Sequence, residues 1–393
     1  MDLSYNAEYD QYRAEVVAFL VKNWNLALAR DETYVASFRK NATQAGYLYR
    51  NFPKQYGGAG VAPDVLQAQI IREEFAKVRA PKELGGNGTM MLAPTLVEYG
   101  TDQQKEKFIA KTLSGEYRWA QGYSEPGAGS DLASLKTKAE LVGDEWVING
   151  QKIWTTDAQS SNYMFALVRT ETDVASKHAG ISYLLIDMKQ PGVTVRPLKP
   201  MYGGHAFCEV FLEDVRTPAD WIVGERGEGW AVSKSTLKHE RNSVGAATGA
   251  LDTFNKLVKV AKTEILDGKP AIESPLIREQ LGVLEGYVRA HLYSGYYQLT
   301  KDAQGKSAGI ISMMNKINSS NIGHKVAEIA TAVLEDKSLI SPVFSPDHKP
   351  GNERWVNQIL GSLAATIGGG TSNIQLNIIA ERGLELPREE SKN

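Results

Sequence analysis

The sequence QGYSEPGAGSD, residues 121–131, decides the fold because the character of the chain changes at this point. It holds three glycines and one proline among hydroxyl and carboxylate side chains. Glycine lets a ligand approach the backbone closely, so such a loop can present its NH groups to an anion or a planar ring. The same composition is typical of a tight turn between domains, and the motif alone leaves both interpretations open. It is not a Rossmann fingerprint, because the third glycine of that pattern is missing and no strand, helix and downstream acid follow in order.

The residues on the two sides of this loop follow different patterns. From residue 9 to about residue 115, apolar side chains recur at helical spacing, as in Leu66, Ile70 and Phe75. Beyond the loop, short β-rich segments separated by Gly, Asn, Asp and Pro extend to about residue 229, and then helical spacing returns. The pattern predicts an α+β multi-domain protein, with an N-terminal helical domain at residues 1–118, a middle β-domain at 119–229 and a C-terminal helical domain at 230–393.

Composition narrows the class of protein. The 393 residues are 42% hydrophobic and 23% charged, with a net charge of -2, which is typical of an ordinary globular protein and gives no support to polyanion binding. Cys208 is the only cysteine, and no Cys/His cluster has the spacing of zinc ligands, so we expect a cytoplasmic protein with a metal-free site. The polar, acidic start of the chain does not resemble a signal peptide. The chemistry must therefore come from oxygen and nitrogen groups or from a bound cofactor.

A second motif, WVINGQKIWTT at residues 146–156, follows the loop closely. A β-hairpin through Asn149 and Gly150 is predicted to bring Trp154 and the hydroxyls of Thr155 and Thr156 to one place. An aromatic ring and two hydroxyls would form a suitable wall for a flavin. The alternative for Trp154 is a core aromatic residue, and spacing alone does not separate the two interpretations.

Several motifs in a fixed order together carry a family resemblance. They are SEPGAGSDL at 124–132, NGQKIW at 149–154, VRTP at 215–218 before Gly224, HER at 239–241, and GGTS at 369–372 with Ile374 and Gln375. Taken together they resemble the acyl-CoA dehydrogenases, flavoproteins that dehydrogenate acyl thioesters. The resemblance covers the whole chain, from PKQYGG at 53–58 to AER at 380–382. It implies a helical domain on either side of a β-barrel-like domain, the last domain being like a four-helix bundle.

The resemblance also implies FAD as cofactor and a set of residues around it. The residues matched to flavin contacts are Gln121, Tyr123, Ser124, Gly129, Ser130, Trp154, Thr155 and Thr156, with Thr371 and Gln375 from the tail motif. A family stretch that reaches the flavin of a neighbouring subunit is absent here, and by spacing to Gln280 its nearest equivalents are Lys269 and Ile272. Lys269 and Gln280 are the two residues of this region expected to bind the cofactor. Ser130 also matches a position that contacts the CoA part of the substrate, and Arg241 is predicted to bind substrate as well.

The catalytic base needs separate consideration. Many members carry a glutamate immediately before the Gly-Thr of the tail motif, where this chain has Gly369, and glycine cannot abstract a proton. Other members carry the base in a Glu-Arg pair that matches Glu240 and Arg241. The backbone NH of Gly369 is still expected to donate to the thioester carbonyl oxygen, as that position does in the family.

Helical periodicity gives independent support for Glu240. In a helix beginning near Gly229, Glu240 falls three residues after Leu237 and four before Val244, on a stripe that continues through Leu251. A carboxylate on an apolar stripe is desolvated, which raises its proton affinity and suits it to act as a base. The alternatives are a Glu-Arg pair on a solvated face and a buried structural ion pair.

Three hypotheses of function follow. The leading one is an acyl-CoA dehydrogenase that acts on an acyl-CoA substrate, passes electrons to an electron-transfer flavoprotein and assembles as a homotetramer or an α2β2 heterotetramer. The second is a catalytically silent subunit that needs a partner, suggested by Gly369 and by the altered Lys269 region. The third is a flavin oxidase or monooxygenase on the same scaffold.

Overall fold

The computed structural model describes residues 6–201, 204–243, 247–339 and 354–387, apart from the side chains at 238–248, 339, 354 and 356. Val244, which the predicted apolar stripe uses, lies outside the described residues. Contacts divide the chain into two compact units. The first comprises Met1–Pro197 and Ala206–His239, and the second comprises Leu198–His205 and Glu240–Asn393.

The first unit begins with five helices. They are α1 (Ala7–Asn23), α2 (Glu32–Gln44), α3 (Val65–Lys77), α4 (Ala93–Tyr99) and α5 (Asp102–Ser114). Side-chain caps fix several of their starts: Asp31 Oδ1 accepts from Thr33 N at 2.9 Å, and Thr101 and Gln104 form a capping box. The apolar faces of these helices form one core that includes Phe38, Phe75 and Phe108.

A seven-stranded sheet follows the helices. Its strands are β1 (Trp119–Gly122), β2 (Lys138–Val142), β3 (Glu145–Thr156), β4 (Tyr163–Arg169), β5 (Ile181–Asp187), β6 (Val193–Pro197) and β7 (Phe207–Pro218). The order is β1-β4-β2-β3-β7-β6, and β5 pairs with β4. Alternate residues of β4 enter two cores, with Phe165 facing the helical core and Met164 facing a second core within the curled sheet. Burial on both faces explains why β4 and β5 are almost entirely apolar.

The predicted hairpin at Asn149 and Gly150 is wrong. Strand β3 runs through both residues, and the hairpin turn is the earlier Gly143 and Asp144, since Val142 pairs with Glu145. At Asn149 and Gly150 the register shifts against β7, and Asn149 bonds to Asp214 of that strand through both its side-chain amide atoms, at 2.9 and 3.0 Å. The Asn-Gly pair therefore forms a bulge in the long strand.

Helices return after the sheet. They are α6 (Gly229–Ser243), α7 (Ala247–Thr263), α8 (Pro275–Ala303), α9 (Ile310–Leu334), α10 (Arg354–Ala365) and α11 (Ser372–Ile378), with a short hairpin of β8 (Ile265–Leu266) and β9 (Lys269–Pro270) after α7. In the second unit, α7, α8 and α9 share a core with Trp355 of α10. The predicted fold class, with helices on either side of a curled sheet, is confirmed. The predicted domain limits stay a prediction.

Two further observations concern the environment of the chain. Among the described residues, the helices are all too short or too polar to cross a membrane. Cys208 is buried and free. The predicted cytoplasmic location stays a prediction.

Candidate functional site

The glycine-rich loop leaves β1 and closes a tight turn at residues 125–128. Glu125 N donates to Ala128 O and Ala128 N donates to Glu125 O, each at 3.0 Å, with Pro126 at the first corner of the turn. Beyond the turn, Gly129 and Ser130 are exposed. A Cβ built on Gly129 would meet no atom within 4 Å, so one side of this backbone faces open space. Such a loop has room for a ligand beside its main chain.

The glycine-rich loop and the second motif are in contact. Ile153 N donates to Ser124 O at 2.9 Å. The preceding residue, Lys152, is wholly buried, and its Nζ donates to Glu125 Oε1 at 2.8 Å, Leu167 O at 2.7 Å and Tyr123 O at 3.2 Å. Residues 121–131 and 152–156 therefore form one site in the first unit.

Trp154 has the geometry of a ligand-contacting residue. Its side chain is 59% exposed, so the interpretation of Trp154 as a core aromatic is wrong. Its φ of 60° lies in the left-handed region, which is unfavourable for a bulky residue. The register of β3 against β7 shifts between Lys152 and Thr155, and this irregularity turns the indole outward, where it meets the Phe207 ring edge-on at 6.0 Å. The strand thus holds a strained aromatic ring at the surface.

Thr155 and Thr156 complete the end of this strand. The Thr155 side chain is buried, and its Oγ1 has no hydrogen-bond partner among the described residues. An unsatisfied buried hydroxyl costs about 1–3 kcal/mol, which a polar group of a ligand at this position would recover. Thr156, half-buried, is paired with Phe207. The orphaned hydroxyl, the exposed indole and the open glycine backbone fit a planar, polar cofactor such as FAD, whose ring has both a flat face and polar edges.

The buried pair of Glu125 and Lys152 was missed by the sequence reasoning. Burial lowers the pKa of Lys152 to about 8, and Glu125 opposes that effect. Burial also acts to raise the pKa of Glu125, but Lys152 and the amides of residues 136 and 137 hold that pKa below its ordinary value. A signal was present, because Lys152 follows the inward-facing Trp146 and Ile148 at even spacing along the strand.

The tail motif forms a tight loop in the second unit. Gly369 and Gly370 both have left-handed φ angles, 65° and 85°, which favour glycine. Thr371 caps α11 by accepting from Ile374 N at 3.2 Å, and the Gln375 side chain folds back to donate to Gly369 O at 3.4 Å. The structure thus brings Gly369, Thr371 and Gln375 together. Among the described residues, Gly369 N has no hydrogen-bond acceptor.

The end of α10 is anchored just before this loop. Lys316 Nζ and Ser320 Oγ of α9 both donate to Ala365 O, at 2.8 and 3.1 Å. Both side chains are buried, and burial lowers the pKa of Lys316. These two hydrogen bonds therefore fix the last carbonyl of α10 and the start of the tail loop that follows it.

Four predicted site residues remain: Lys269, Gln280, Glu240 and Arg241. Lys269 on β9 and Gln280 on α8 have exposed side chains. Glu240 and Arg241 belong to α6, and their side chains lie outside the described residues. The roles predicted for these four residues stay predictions.

Comparison with known proteins finds matches along most of the chain. Residues 6–116 match the family model for the N-terminal domain of acyl-CoA dehydrogenases, residues 120–215 match the middle domain, and residues 227–384 match the C-terminal domain. A similar curated protein is the acyl-CoA dehydrogenase IpdE1 of Mycobacterium tuberculosis, which is 37% identical over 355 residues, 90% of this chain and 88% of that protein.

Two solved structures resemble the chain over almost all of its length. One is the ChsE4-ChsE5 complex of Mycobacterium tuberculosis, with a TM-score of 0.78 and 27% identity over 99% of this chain and 100% of the other. The other is Tcur3481-Tcur3483, described as a steroid ACAD, with a TM-score of 0.77 and 28% identity over 99% of this chain and 100% of the other.

Proposed function

The chain belongs to the acyl-CoA dehydrogenase family, and from that premise we propose that it removes two hydrogens from the α and β carbons of an acyl-CoA thioester, giving the 2-enoyl-CoA. Family membership makes the protein an FAD-dependent oxidoreductase. The chemistry that FAD supplies when bound is acceptance of the β hydrogen, with its electron pair, at the flavin N5. The other parts of the reaction fall to residues of this chain.

One observation carries the proposal: the glycine-rich loop meets the strained, exposed Trp154 and the orphaned hydroxyl of Thr155. The residues proposed to hold FAD are Gln121, Tyr123, Ser124, Gly129, Ser130, Trp154, Thr155 and Thr156, with Thr371 and Gln375 from the tail loop. Ser130 is exposed in the same glycine-rich loop, which supports the proposal that it contacts the CoA part of the substrate together with Arg241.

Glu240 is proposed as the base. Residues 366–375 contain no carboxylate, so the tail loop offers no side chain that could take the α proton. In the proposed reaction the Glu240 carboxylate removes that proton, and the electron pair of the broken C–H bond forms the new double bond as the β hydrogen leaves. Gly369 N donates to the thioester oxygen, where negative charge develops. The free donor capacity of that amide among the described residues supports this role.

Anaerobic titration of the holoenzyme with acyl-CoA tests the reaction. Acyl-CoA is expected to bleach the absorbance of the oxidised flavin in the wild type. In Glu240→Gln that absorbance should remain unchanged over the same time. Glu228→Gln, an exposed carboxyl just before the same helix, is the matched control and should bleach like the wild type. Bleaching that persists in Glu240→Gln would exclude Glu240 as the base.

The proposed substrate class is a thioester with a bulky, steroid-like acyl group. Its support is the likeness to Tcur3481-Tcur3483, described as a steroid ACAD, at 28% identity over almost the whole chain. A panel of short linear, branched, long linear and steroid side-chain acyl-CoAs would measure the preference. The steroid thioester is expected to give the highest kcat/KM, and a higher value for a linear acyl-CoA would contradict the proposal.

A partner subunit is the second part of the proposal. One structural relative is a complex of two named chains, ChsE4 and ChsE5. In this chain, α8 exposes Leu276, Val283 and Tyr287 at helical spacing, and Gln280 stands exposed between them. An α2β2 assembly would cover this stripe and let Lys269 and Gln280 contact the flavin of a neighbour, whereas a homotetramer would cover it with copies of itself.

This assembly also motivates a second candidate function, a subunit that is inactive without its partner. The anaerobic titration is repeated on the chain alone and on the chain co-purified with a homologue. This comparison separates an active enzyme from a partner-dependent subunit. Bleaching by the chain alone excludes the partner-dependent subunit, and bleaching only in the mixture supports it.

An electron-transfer flavoprotein is the proposed electron acceptor. It should reoxidise the reduced enzyme faster than dioxygen does, and faster reoxidation by dioxygen would favour an oxidase.

A further inference from the structure

The buried pair of Lys152 and Glu125 has more contacts than a simple ion pair needs. The ammonium group of Lys152 has three protons, and it meets three acceptors: Glu125 Oε1, Leu167 O and Tyr123 O, at 2.7 to 3.2 Å. Its donor capacity is therefore complete. Two of the three acceptors are main-chain carbonyls, one at the start of the glycine-rich loop and one in β4.

Glu125 ties the same loop to a further segment. Its Oε2 accepts from Lys136 N at 2.6 Å, and its Oε1 accepts from Thr137 N at 2.9 Å as well as from Lys152. The turn made by residues 125–128 is thus fixed to the chain just before β2. The carboxylate and the ammonium together join the loop, β3, β4 and the segment just before β2 in one buried network.

Lys152 and Glu125 are close in the chain to residues that are proposed to contact the cofactor. Ser124 stands between Tyr123 and Glu125, and its carbonyl accepts from Ile153 N at 2.9 Å. Trp154, with its left-handed backbone, is two residues after Lys152. A shift of the Lys152 side chain would therefore move both the loop and the indole.

We propose that Lys152 and Glu125 are positioning residues for the flavin, and that their buried contacts hold the 123–128 loop and Trp154 at the separation that FAD binding requires. The inference rests on the proposed flavin contacts of Ser124 and Trp154. It concerns cofactor binding, so its failure would leave the proposed dehydrogenation and the role of Glu240 untouched.

The test separates positioning from the general cost of disturbing a buried charge. Lys152→Met leaves Glu125 buried without its partner and is expected to lower both stability and FAD affinity. The double variant Glu125→Gln/Lys152→Met removes both charges, so its melting temperature should recover toward that of the wild type. The introduced methionine side chain still cannot donate to Tyr123 O and Leu167 O, so the FAD dissociation constant of the double variant should stay raised, by about tenfold or more.

Dilution of holoenzyme, with the fluorescence of released FAD as the signal, measures the dissociation constant, and the visible spectrum of the bound flavin reports its environment. Glu74→Gln is the matched control, because Glu74 is also buried in an ion pair, with Arg13 and Lys77, far along the sequence from the loop. It should lower the melting temperature and leave FAD release and the flavin spectrum unchanged.

Wild-type affinity and spectrum in a folded double variant would overturn the proposal, because the pair would then be only structural. Should the double variant fail to fold, Glu125→Gln alone decides. It keeps the size of the side chain and one acceptor, and we expect an altered flavin spectrum and about threefold weaker binding. An unchanged spectrum and affinity in Glu125→Gln would also overturn the proposal.

Discussion

At the scale of single residues, the site depends on two groups in unfavourable states. Trp154 holds a left-handed backbone with an exposed indole, and Thr155 buries a hydroxyl without a partner among the described residues. Each costs free energy in the folded protein, of the order of 1–3 kcal/mol. Two adjacent residues at the end of one strand therefore both raise the free energy of the folded protein. Such a pair is typical of a site that a bound ligand completes.

Thr155→Val tests this interpretation directly. Valine keeps the shape of threonine and removes the orphaned hydroxyl, so the protein without FAD should gain about 1 kcal/mol of unfolding free energy. If the hydroxyl bonds to FAD, the same variant should bind FAD about tenfold more weakly. Urea unfolding of the FAD-free protein and FAD titration measure the two effects, and a variant that loses stability while keeping its affinity would contradict the account.

The pH dependence of stability follows from Glu125. Its folded pKa lies below the ordinary value of 4.5, since Lys152 and two amides outweigh the effect of burial. The ionised carboxylate therefore stabilises the fold above pH 4.5, and that contribution is lost as pH falls through the folded pKa. In acid titrations followed by circular dichroism, the wild type should lose stability below pH 4.5 more steeply than Glu125→Gln/Lys152→Met. Equal slopes would mean that Glu125 adds nothing to acid sensitivity.

At the scale of elements, β3 connects the sheet to the site through its bulges. Gly150, at the first of these, has a φ of 154°, and a Cβ there would stand 2.7 Å from Thr137 Cα. Gly150→Ala should therefore push β3 away from the segment before β2, at a cost of about 1–3 kcal/mol, and weaken FAD binding. Gly282→Ala, in the open on helix α8, is the control and should be neutral or slightly stabilising. Melting temperatures and FAD titration compare the two, and a neutral Gly150→Ala would contradict the close approach.

The anchor of the tail loop belongs to the same scale. Lys316→Met removes the stronger of the two donors to Ala365 O, so the amides of residues 366–372 should exchange with solvent about tenfold faster in hydrogen-exchange mass spectrometry. Lys325→Met, an exposed lysine of the same helix paired with Glu328, should leave that exchange unchanged. Equal protection in Lys316→Met and the wild type would show that Lys316 does not hold the loop.

Sequence patterns predicted the elements better than their connections. Helical and β spacing predicted the order of helices, sheet and helices. The hairpin was predicted at Asn149 and Gly150 because Asn-Gly is a strong hairpin signal, but Gly143 and Asp144 form the observed turn. Only long-range pairing with β7 selects between the two pairs. The inward direction of Lys152 could be predicted from its even spacing after Trp146 and Ile148. Its pairing with Glu125 could not, because the groups of this network come from separate segments of the chain.

At the scale of the whole molecule, the exposed stripe of α8 should govern assembly. Val283→Asp introduces a charge between Leu276 and Tyr287, and burying that charge in an interface is unfavourable. Light scattering on purified protein, alone or with its partner, should show a smaller assembly than the wild type. Lys325→Asp on α9 controls for the added charge, and an unchanged mass in Val283→Asp would exclude this stripe from the interface.

The central claim is that Glu240 takes the α proton of the thioester. Incubation of the holoenzyme with a saturated acyl-CoA in D2O, followed by mass spectrometry of the recovered thioester, measures proton removal at the α carbon separately from flavin reduction. We predict deuterium at the α carbon with the wild type, and exchange slowed by about 10²–10⁴-fold in Glu240→Gln with FAD still bound. Exchange at the wild-type rate in Glu240→Gln would contradict the account.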